Sequence, residues 1–513
     1  MIETANMGKC RAWLVLAAMT TSLSIILLDS SLLPVAFPTI QLDTHATPAK
    51  LNWMINAYFL TYATLVLAAS KLSNRLGNRQ GFCLGMGVFA MGSLVGGLAW
   101  TSDLLVSARI IQGLGAAFMA PTALAIIVET FPPSHRGRAL GISVSFSSIF
   151  YALGPVIGGV VTEFFSWRLL FLFNIPITLL GIGLALVYVP KSKRVKESFH
   201  FPGFLCLASG ILCLTVALMQ GRAWGWFSLQ IVFLFASSLF FFFLLIVTSR
   251  FIKTPFVNIS LFKHPVYFSG IAILFGTQFL MTNALFWPIL FQKIWGYTPV
   301  QTGLLILFAT IPPIIASPFG GYLSDRIGPK LPVVIGACSF IFCFILFLLF
   351  NSTSWTIFLF MALISFGFGA SLVMTPVGTT MLSHIPENKR MLATGFYSTV
   401  RFTGGTMGVA TLGAIKSDVK YATFSSSFSH CPGAENVDCF QAIRSAARGA
   451  TILGDGTPIS PELSANIHAL YIDASIHAFN YMNIASIFVA IIVLLLAYRS
   501  LKPYHLLPAA LEV

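Results

Sequence analysis

The sequence predicts an all-α integral membrane protein: fourteen transmembrane helices, arranged as two six-helix bundles with an inserted helix pair. Three observations predict it. The composition is apolar and nearly empty of charge, apolar runs of membrane-spanning length recur along the whole chain, and one short basic segment occurs twice, half a chain apart.

The composition comes first. Of 513 residues, 57% are hydrophobic and 9% charged, with mean hydropathy +0.86. Soluble domains carry roughly a quarter charged residues. Apolar runs of about 20 residues cross the ~30 Å hydrocarbon layer as helices, and in lipid the backbone must satisfy its own hydrogen bonds, which leaves helices for a chain of this pattern. The excess of 30 Lys+Arg over 16 Asp+Glu is explained by topology and needs no nucleic acid. Eight cysteines show no zinc-like spacing, and no metal is expected.

Fourteen spans follow, near 13–40, 50–73, 81–99, 101–128, 138–162, 167–190, 202–221, 227–249, 265–292, 299–323, 331–350, 354–382, 390–415 and 474–498. The first lacks a small-residue cleavage site and reads as a retained helix. With the N-terminus in the cytoplasm, alternate connections and the termini collect 20 of the 30 basic residues, and the other side holds eight. Arg109 and Arg401 fall inside spans. This bias predicts both termini inside. The long segment 416–473 reads as an outer loop in which Cys431 and Cys439 would close a disulfide in an oxidising compartment, two free thiols being the alternative.

Residues 70–79 read SKLSNRLGNR and residues 321–330 read GYLSDRIGPK, with Leu72/Leu323, Ser73/Ser324, Arg75/Arg326 and Gly77/Gly328 in register at an offset of 251. Each copy follows an apolar span. Internal repeats mark transporters built from two homologous halves around a central site. If each copy closes the second helix of a bundle, the organisation is 1–190 for the first bundle, 191–264 for the inserted pair and its connectors, and 265–513 for the second bundle.

The two copies resemble the signature loop of the major facilitator superfamily, a tight glycine turn with a charge cluster that steadies one conformation. The implied gating residues are Asn74, Arg75, Gly77, Arg79, Asp325, Arg326 and Gly328. The first copy departs from the pattern at Ser70 and Asn74, whereas the second keeps Gly321 and Asp325. Residues 105–117, LVSARIIQGLGAA, resemble the next motif of that family, with Arg109, Gln112, Gly113 and Gly115. Residues 153–159, LGPVIGG, resemble its antiporter motif through Gly154, Pro155, Gly158 and Gly159, although Tyr151 stands near the motif's first glycine. LDSSLLPVAFPTI in span 1, WMINAYFL in span 2, WRLLFLFNIP in span 6 and RFTGGTMGVA in span 13 are similar to the fourteen-helix drug:proton antiporters.

Only Asp29 among the acidic residues lies deep in a span, at a depth comparable to Arg109. Intramembrane ionisable residues face a cavity or a partner. The expectation is that Asp29 and Arg109 share the cavity of the first bundle and carry proton coupling, with Arg401 as a cavity residue of the second, although Asp29 could instead be a structural acid. Spans 9–14 hold no deep acid, which favours neutral, monocationic or anionic amphipaths.

The resemblance implies a proton-coupled antiporter that exports small amphipathic compounds from the inner membrane of a bacterium. The proton gradient would be the energy source, with no cofactor. A dedicated exporter of one metabolite, such as a siderophore, is the alternative, and some relatives attach a periplasmic adaptor and an outer-membrane channel. A membrane-embedded enzyme is the remote reading: no HExxH, no acid pair within a span and no GxxxxGK[ST] occurs.

Overall fold

The computed structural model of the chain describes residues 9–190, 200–251, 265–349, 356–383, 387–429, 439, 442–443 and 461–501. The first bundle is formed by α1 (Lys9–Asp43), α2 (Pro48–Leu76), α3 (Asn78–Gly97), α4 (Ser102–Thr130), α5 (Pro133–Phe164) and a broken sixth helix, α6 (Arg168–Leu172) with α7 (Asn174–Tyr188). Two further helices follow, α8 (Phe201–Trp224) and α9 (Leu229–Phe251). The second bundle opens with α10 (Pro265–Met281), which continues through a 3-10 turn at Thr282–Phe286, α11 (Trp287–Ile289) and a π turn at Leu290–Ile294. Then come α12 (Pro299–Thr310), α13 (Pro312–Ile327), α14 (Lys330–Leu349), α15 (Thr356–Ser383), α16 (Glu387–Phe428) and α17 (Pro461–Ser500).

Among the described residues, thirteen helices, broken ones counted once, are long and apolar enough to cross a membrane. The remaining predicted span is α16, which is more polar along its length because it carries Arg401, Lys416, Lys420 and many Thr and Ser residues. Local sequence starts the helices where expected. Thr47, Thr101 and Thr298 each accept a hydrogen bond from a backbone N–H of the first turn of α2, α4 and α12, and Pro48 and Pro299 sit where no intrahelical donor is needed.

One prediction is corrected. The segment 416–473 is not a loop over its whole length: α16 runs on to Phe428 and α17 begins at Pro461. At 1.5 Å per residue these helices of 42 and 40 residues exceed a ~30 Å bilayer. Their protruding ends are held by a small second core in which Phe424, Phe428, Ile467, Tyr471 and Ala474 meet Ala442. Cys431, half of the predicted disulfide, lies outside the described residues.

The two bundles share one packing plan. In the first, α3 packs on α4, α1 on α5 and α7, and α2 on α4; in the second, α14 packs on α15, α10 on α16 and α17, and α13 on α15. Between bundles the roles cross over, with α5 against α12 and α2 against α16. The inserted helices pack on each other, and α8 lies against both α2 and α16, along one seam between the bundles.

The face where α1 starts and α17 ends is called here the terminal face. The contacts that join the bundles lie in the half away from it. Gln292 donates to the Val35 carbonyl at 2.8 Å, Lys293 Nζ to Gln41 Oε1 at 2.5 Å, and the Val300 N–H to Glu163 Oε2 at 2.8 Å. Near mid-membrane the Thr310 hydroxyl donates to the Ala152 carbonyl at 2.9 Å, beside the backbone that Pro155 loosens. Toward the terminal face α5 packs on α13 more lightly than it packs on α12, so the firmer seal between the bundles lies in the half away from that face.

Candidate functional site

Asp29 and Arg109 meet in the interior of the first bundle. The Arg109 guanidinium forms an ion pair with Asp29 Oδ2, donates to Gln112 Oε1 at 2.8 Å and to the Met54 carbonyl at 3.2 Å, and lies over the Tyr58 ring at 4.3 Å. Gln112 Nε2 donates to Asp29 Oδ1 at 3.3 Å and to Ser93 Oγ at 2.9 Å, and Asn174 Nδ2 reaches Asp29 Oδ1 at 3.4 Å. Asp29 is 1% exposed and Arg109 3%. The pair does not line the open cavity that the sequence predicts; it is enclosed between α1 and α4, and its further partners come from α2 (Met54, Tyr58), α4 (Gln112) and α7 (Asn174). A charged pair out of water persists only when its remaining hydrogen-bonding capacity is filled, and Gln112 and Asn174 fill it. One polar atom beside it is left over: Tyr58 Oη is buried without a hydrogen-bond partner.

Arg401 is elsewhere. It projects from α16 at the seam, half-buried, and donates to Gln278 Oε1 of α10 at 2.9 Å. Its guanidinium lies 5.8 Å from the centre of the Phe402 ring on the same helix. The Tyr62 ring sits 3.8 Å from that of Phe402, and Tyr62 neighbours Tyr58 at 6.5 Å between ring centres. A row of aromatic rings thus links the enclosed Arg109 to Arg401 at the seam.

The second bundle has a counterpart without charge. Asn283, just beyond α10, donates to Asn483 Oδ1 at 3.2 Å and Ser486 Oγ at 3.0 Å of α17, and accepts from Trp287 Nε1 at 3.2 Å. Asp29 with Asn174 joins the first and sixth helices of one bundle; Asn283 with Asn483 joins the same two helices of the other. Sequence reasoning missed this cluster because neutral amides in an apolar run give no charge signal.

The glycines of residues 153–159 make helix contacts that a side chain would block. A Cβ at Gly154 would collide with Ser31 of α1, one at Gly158 would lie 2.5 Å from the Leu32 carbonyl, and one at Gly159 would strike the Pro299 carbonyl of α12. The second bundle repeats the first two at an offset of 250 residues: a Cβ at Gly404 would lie 2.6 Å from the Phe275 carbonyl of α10, and one at Gly408 2.9 Å from the Phe279 carbonyl. Tyr151 and Arg401 are related by the same offset. So Gly404 and Gly408 of span 13 are the repeat partners of Gly154 and Gly158 in the span 5 motif, a relation the unaided sequence reading did not draw.

The two copies of the basic turn have one geometry. Gly77 and Gly328 adopt φ of 97° and 88°, a region that favours glycine, and their N–H groups donate to the Ser73 and Ser324 carbonyls at 2.7 and 3.0 Å. Arg79 donates to the Val189 carbonyl at 3.1 Å and Asn78 to Glu129 Oε1 at 2.6 Å, while the exposed Arg326 lies over the Tyr322 ring at 4.6 Å. Arg75 is exposed and Asn74 half-buried, and the Asp325 side chain lies outside the described residues.

Comparison with known proteins agrees with this architecture. The family model "Major Facilitator Superfamily" matches residues 19–409. The chain is 31% identical over 405 residues to "Multidrug resistance protein Stp" of Mycobacterium tuberculosis, covering 78% of this chain and 75% of that protein. It is 30% identical over 419 residues to "Tetracenomycin C resistance and export protein" of Streptomyces glaucescens, 79% and 76% covered. With "Methyl viologen resistance protein SmvA" of Salmonella typhimurium it shares 27% over 481 residues, 91% and 93% covered. Among solved structures, a bacterial homolog of the human lysosomal transporter Spinster, inward-facing and occupied, superposes with TM-score 0.65 at 14% identity over 96% of this chain and 98% of that one. The D-xylose-proton symporter gives 0.60 at 16% identity over 82% and 93%. With the repeated basic turns, the crossed inter-bundle packing and these matches together, the chain is a multi-pass membrane transporter and belongs to the Major Facilitator Superfamily.

Proposed function

We propose that this transporter is a proton-coupled exporter of small amphipathic compounds, working by alternating access in the inner membrane of a bacterium with its terminal face in the cytoplasm. The single observation that carries the coupling is the enclosed Asp29–Arg109 pair, the only ion pair found at membrane depth among the described residues. A charged pair there is costly to keep and marks function by default. The export reading is supported by relatives named for multidrug resistance, tetracenomycin export and methyl viologen resistance, and the orientation by the basic bias of the terminal face.

In this reading the cleft accepts substrate from the cytoplasm while α5–α12 and the α1 contacts with Gln292 and Lys293 hold the far side shut. A proton on Asp29 neutralises half of the ion pair. Gln112 and Asn174 can still bond the carboxyl, but the guanidinium is released to shift toward Tyr58 and the seam. Arg401, Tyr62, Tyr151 and Phe402 offer the substrate aromatic surface and one positive charge.

The test uses inside-out vesicles with an imposed pH gradient. Asp29→Asn retains size and hydrogen bonding but cannot exchange a proton. We expect the variant to insert and to bind substrate, and to lose uphill export by at least tenfold. Export equal to wild type would make Asp29 structural and place the coupling elsewhere.

A further inference from the structure

Two arginines lie inside spans, and their settings differ. Arg109 is enclosed with Asp29, the one acid that the sequence places deep in a span. Arg401 stands about 21 Å along α16 from its start at Glu387, at 1.5 Å per residue, and is half-buried. Its polar partner is a neutral amide, since Nε donates to Gln278 Oε1 of α10 at 2.9 Å. A guanidinium carries five N–H donors in a planar fork, and this bond uses the one on Nε. The bond braces the group by one edge without cancelling its charge.

The surroundings are aromatic and come from both bundles. One turn on from Arg401 is Gly405, where a Cβ would lie 3.3 Å from the Phe59 ring of α2 and 3.6 Å from Gln278 Cγ. This face of α16 therefore looks into the corner between α2 and α10. Phe402 brings its ring to within 3.8 Å of the Tyr62 ring of α2 and 5.8 Å of the Phe59 ring, centre to centre. The inserted helix α8 lies against α2 and α16 on their outer side. An arginine at this depth faces the protein interior or a water-filled cavity, and the corner between the bundles is that place.

A braced cation beside rings from two bundles selects ligands by charge and by shape. The guanidinium fork takes carboxylates and sulfonates through two parallel N–H bonds, and aromatic rings stack on flat apolar bodies. A second cation at the same place is repelled, more strongly than it would be in water. Tyr62 and Phe59 belong to the first bundle, and Arg401, Gln278 and Phe402 to the second. A ligand that lies on both sets of side chains bridges the bundles, so its arrival bears on how they move against each other.

We propose that Arg401, braced by Gln278, is the charge-selecting residue of the substrate site and that the site takes planar aromatic anions. The carboxylate or sulfonate of the ligand sits on the guanidinium, and its flat body rests against Phe402, Tyr62 and Phe59. This names the substrate class of the cleft proposed above and rests on that reading, but binding at the site is measurable without export.

The probes are radiolabelled naphthalenesulfonate and a cation of like size and shape, N-methylquinolinium, with full-length protein in phosphatidylcholine nanodiscs. Wild type should bind the sulfonate at least tenfold more tightly than the quinolinium, about 1.4 kcal/mol; no preference, or the reverse one, overturns the proposal without any variant. Arg401→Gln should weaken sulfonate binding at least tenfold and leave quinolinium binding within about twofold or tighter. Arg401→Lys, which keeps the charge, should hold the sulfonate within about fivefold of wild type. Sulfonate binding unchanged in Arg401→Gln, equal loss of both probes, or equal loss of the sulfonate in the Gln and Lys variants overturns the assignment. Phosphatidylglycerol added to the discs separates the two sources of an anion. It should leave sulfonate binding unchanged, because Arg401 lies far from the headgroup layer; competition that disappears in Arg401→Gln would assign the cation to a lipid headgroup and overturn the substrate site. Vesicles that export no aromatic compound, while discs bind the sulfonate through Arg401, sink the export reading and leave the site standing. Vesicles that export the quinolinium, while discs show no Arg401-dependent sulfonate binding, leave export standing and sink the site.

Discussion

Asp29 accepts hydrogen bonds from three side chains, yet the Tyr58 hydroxyl beside it has no partner at all. An unsatisfied buried polar group costs about 1–3 kcal/mol, and we infer that this phenol finds its partner in another state of the protein. Tyr58→Phe should therefore leave thermal stability in detergent equal or raise it by about 1 kcal/mol, while slowing pH-driven export severalfold. A variant that is destabilised, or that exports at the wild-type rate, contradicts that role. At this scale the sequence was partly legible. Asp29 and Arg109 stood out because charge in an apolar run is rare, and their shared depth followed from counting residues. Gln112 and Asn174 were visible inside motifs, but their task as partners of Asp29 depends on how α4 and α7 turn toward α1, which no local pattern encodes.

Single helices carry their own logic. In α5, Gly154 and Gly158 bring α1 into backbone contact and Gly159 does the same for α12, so one helix is glued within its bundle on one side and across the seam on the other. Gly159→Val should wedge α5 from α12 without touching the α1 contact. The expected result is a shift toward the far-side-open state, read as faster maleimide labelling of a cysteine placed at Val300, with total protein yield little changed. Labelling equal to the parent would show that the seal does not depend on this glycine. The ends of α16 and α17 show where hydropathy misleads. Polar residues made 416–473 read as loop, whereas Phe424 with Phe428 and Ile467 with Tyr471, each four apart, are the helical period that builds the small protruding core. Low overall hydropathy hid that period.

For the molecule as a whole, the repeat was the most legible feature, since Gly77 and Gly328 must adopt positive φ and few sequences specify that turn twice by chance. The crossed packing of α5 on α12 and α2 on α16 was not legible, because it is a property of how two bundles dock. The orientation remains open to a direct measurement. In a background free of native cysteines, one placed at the exposed Asp103 should react with an impermeant maleimide on intact cells, and one at Arg326 only after permeabilisation; the reverse pattern would invert the proposed topology. The quasi-twofold arrangement has two seams, and among the described residues one of them is walled, by α8 lying over α2 and α16 with Trp226 bonded to Asp418 just beyond its far end. Along the other seam α5 faces α12 and α13, and among the described residues no third helix lies outside them. The two flanks of the described structure are thus unequal: a hydrophobic solute diffusing in the bilayer would meet the inserted helices at one seam and the bare α5–α12 border at the other, so any approach from the lipid would have a compass direction within the plane.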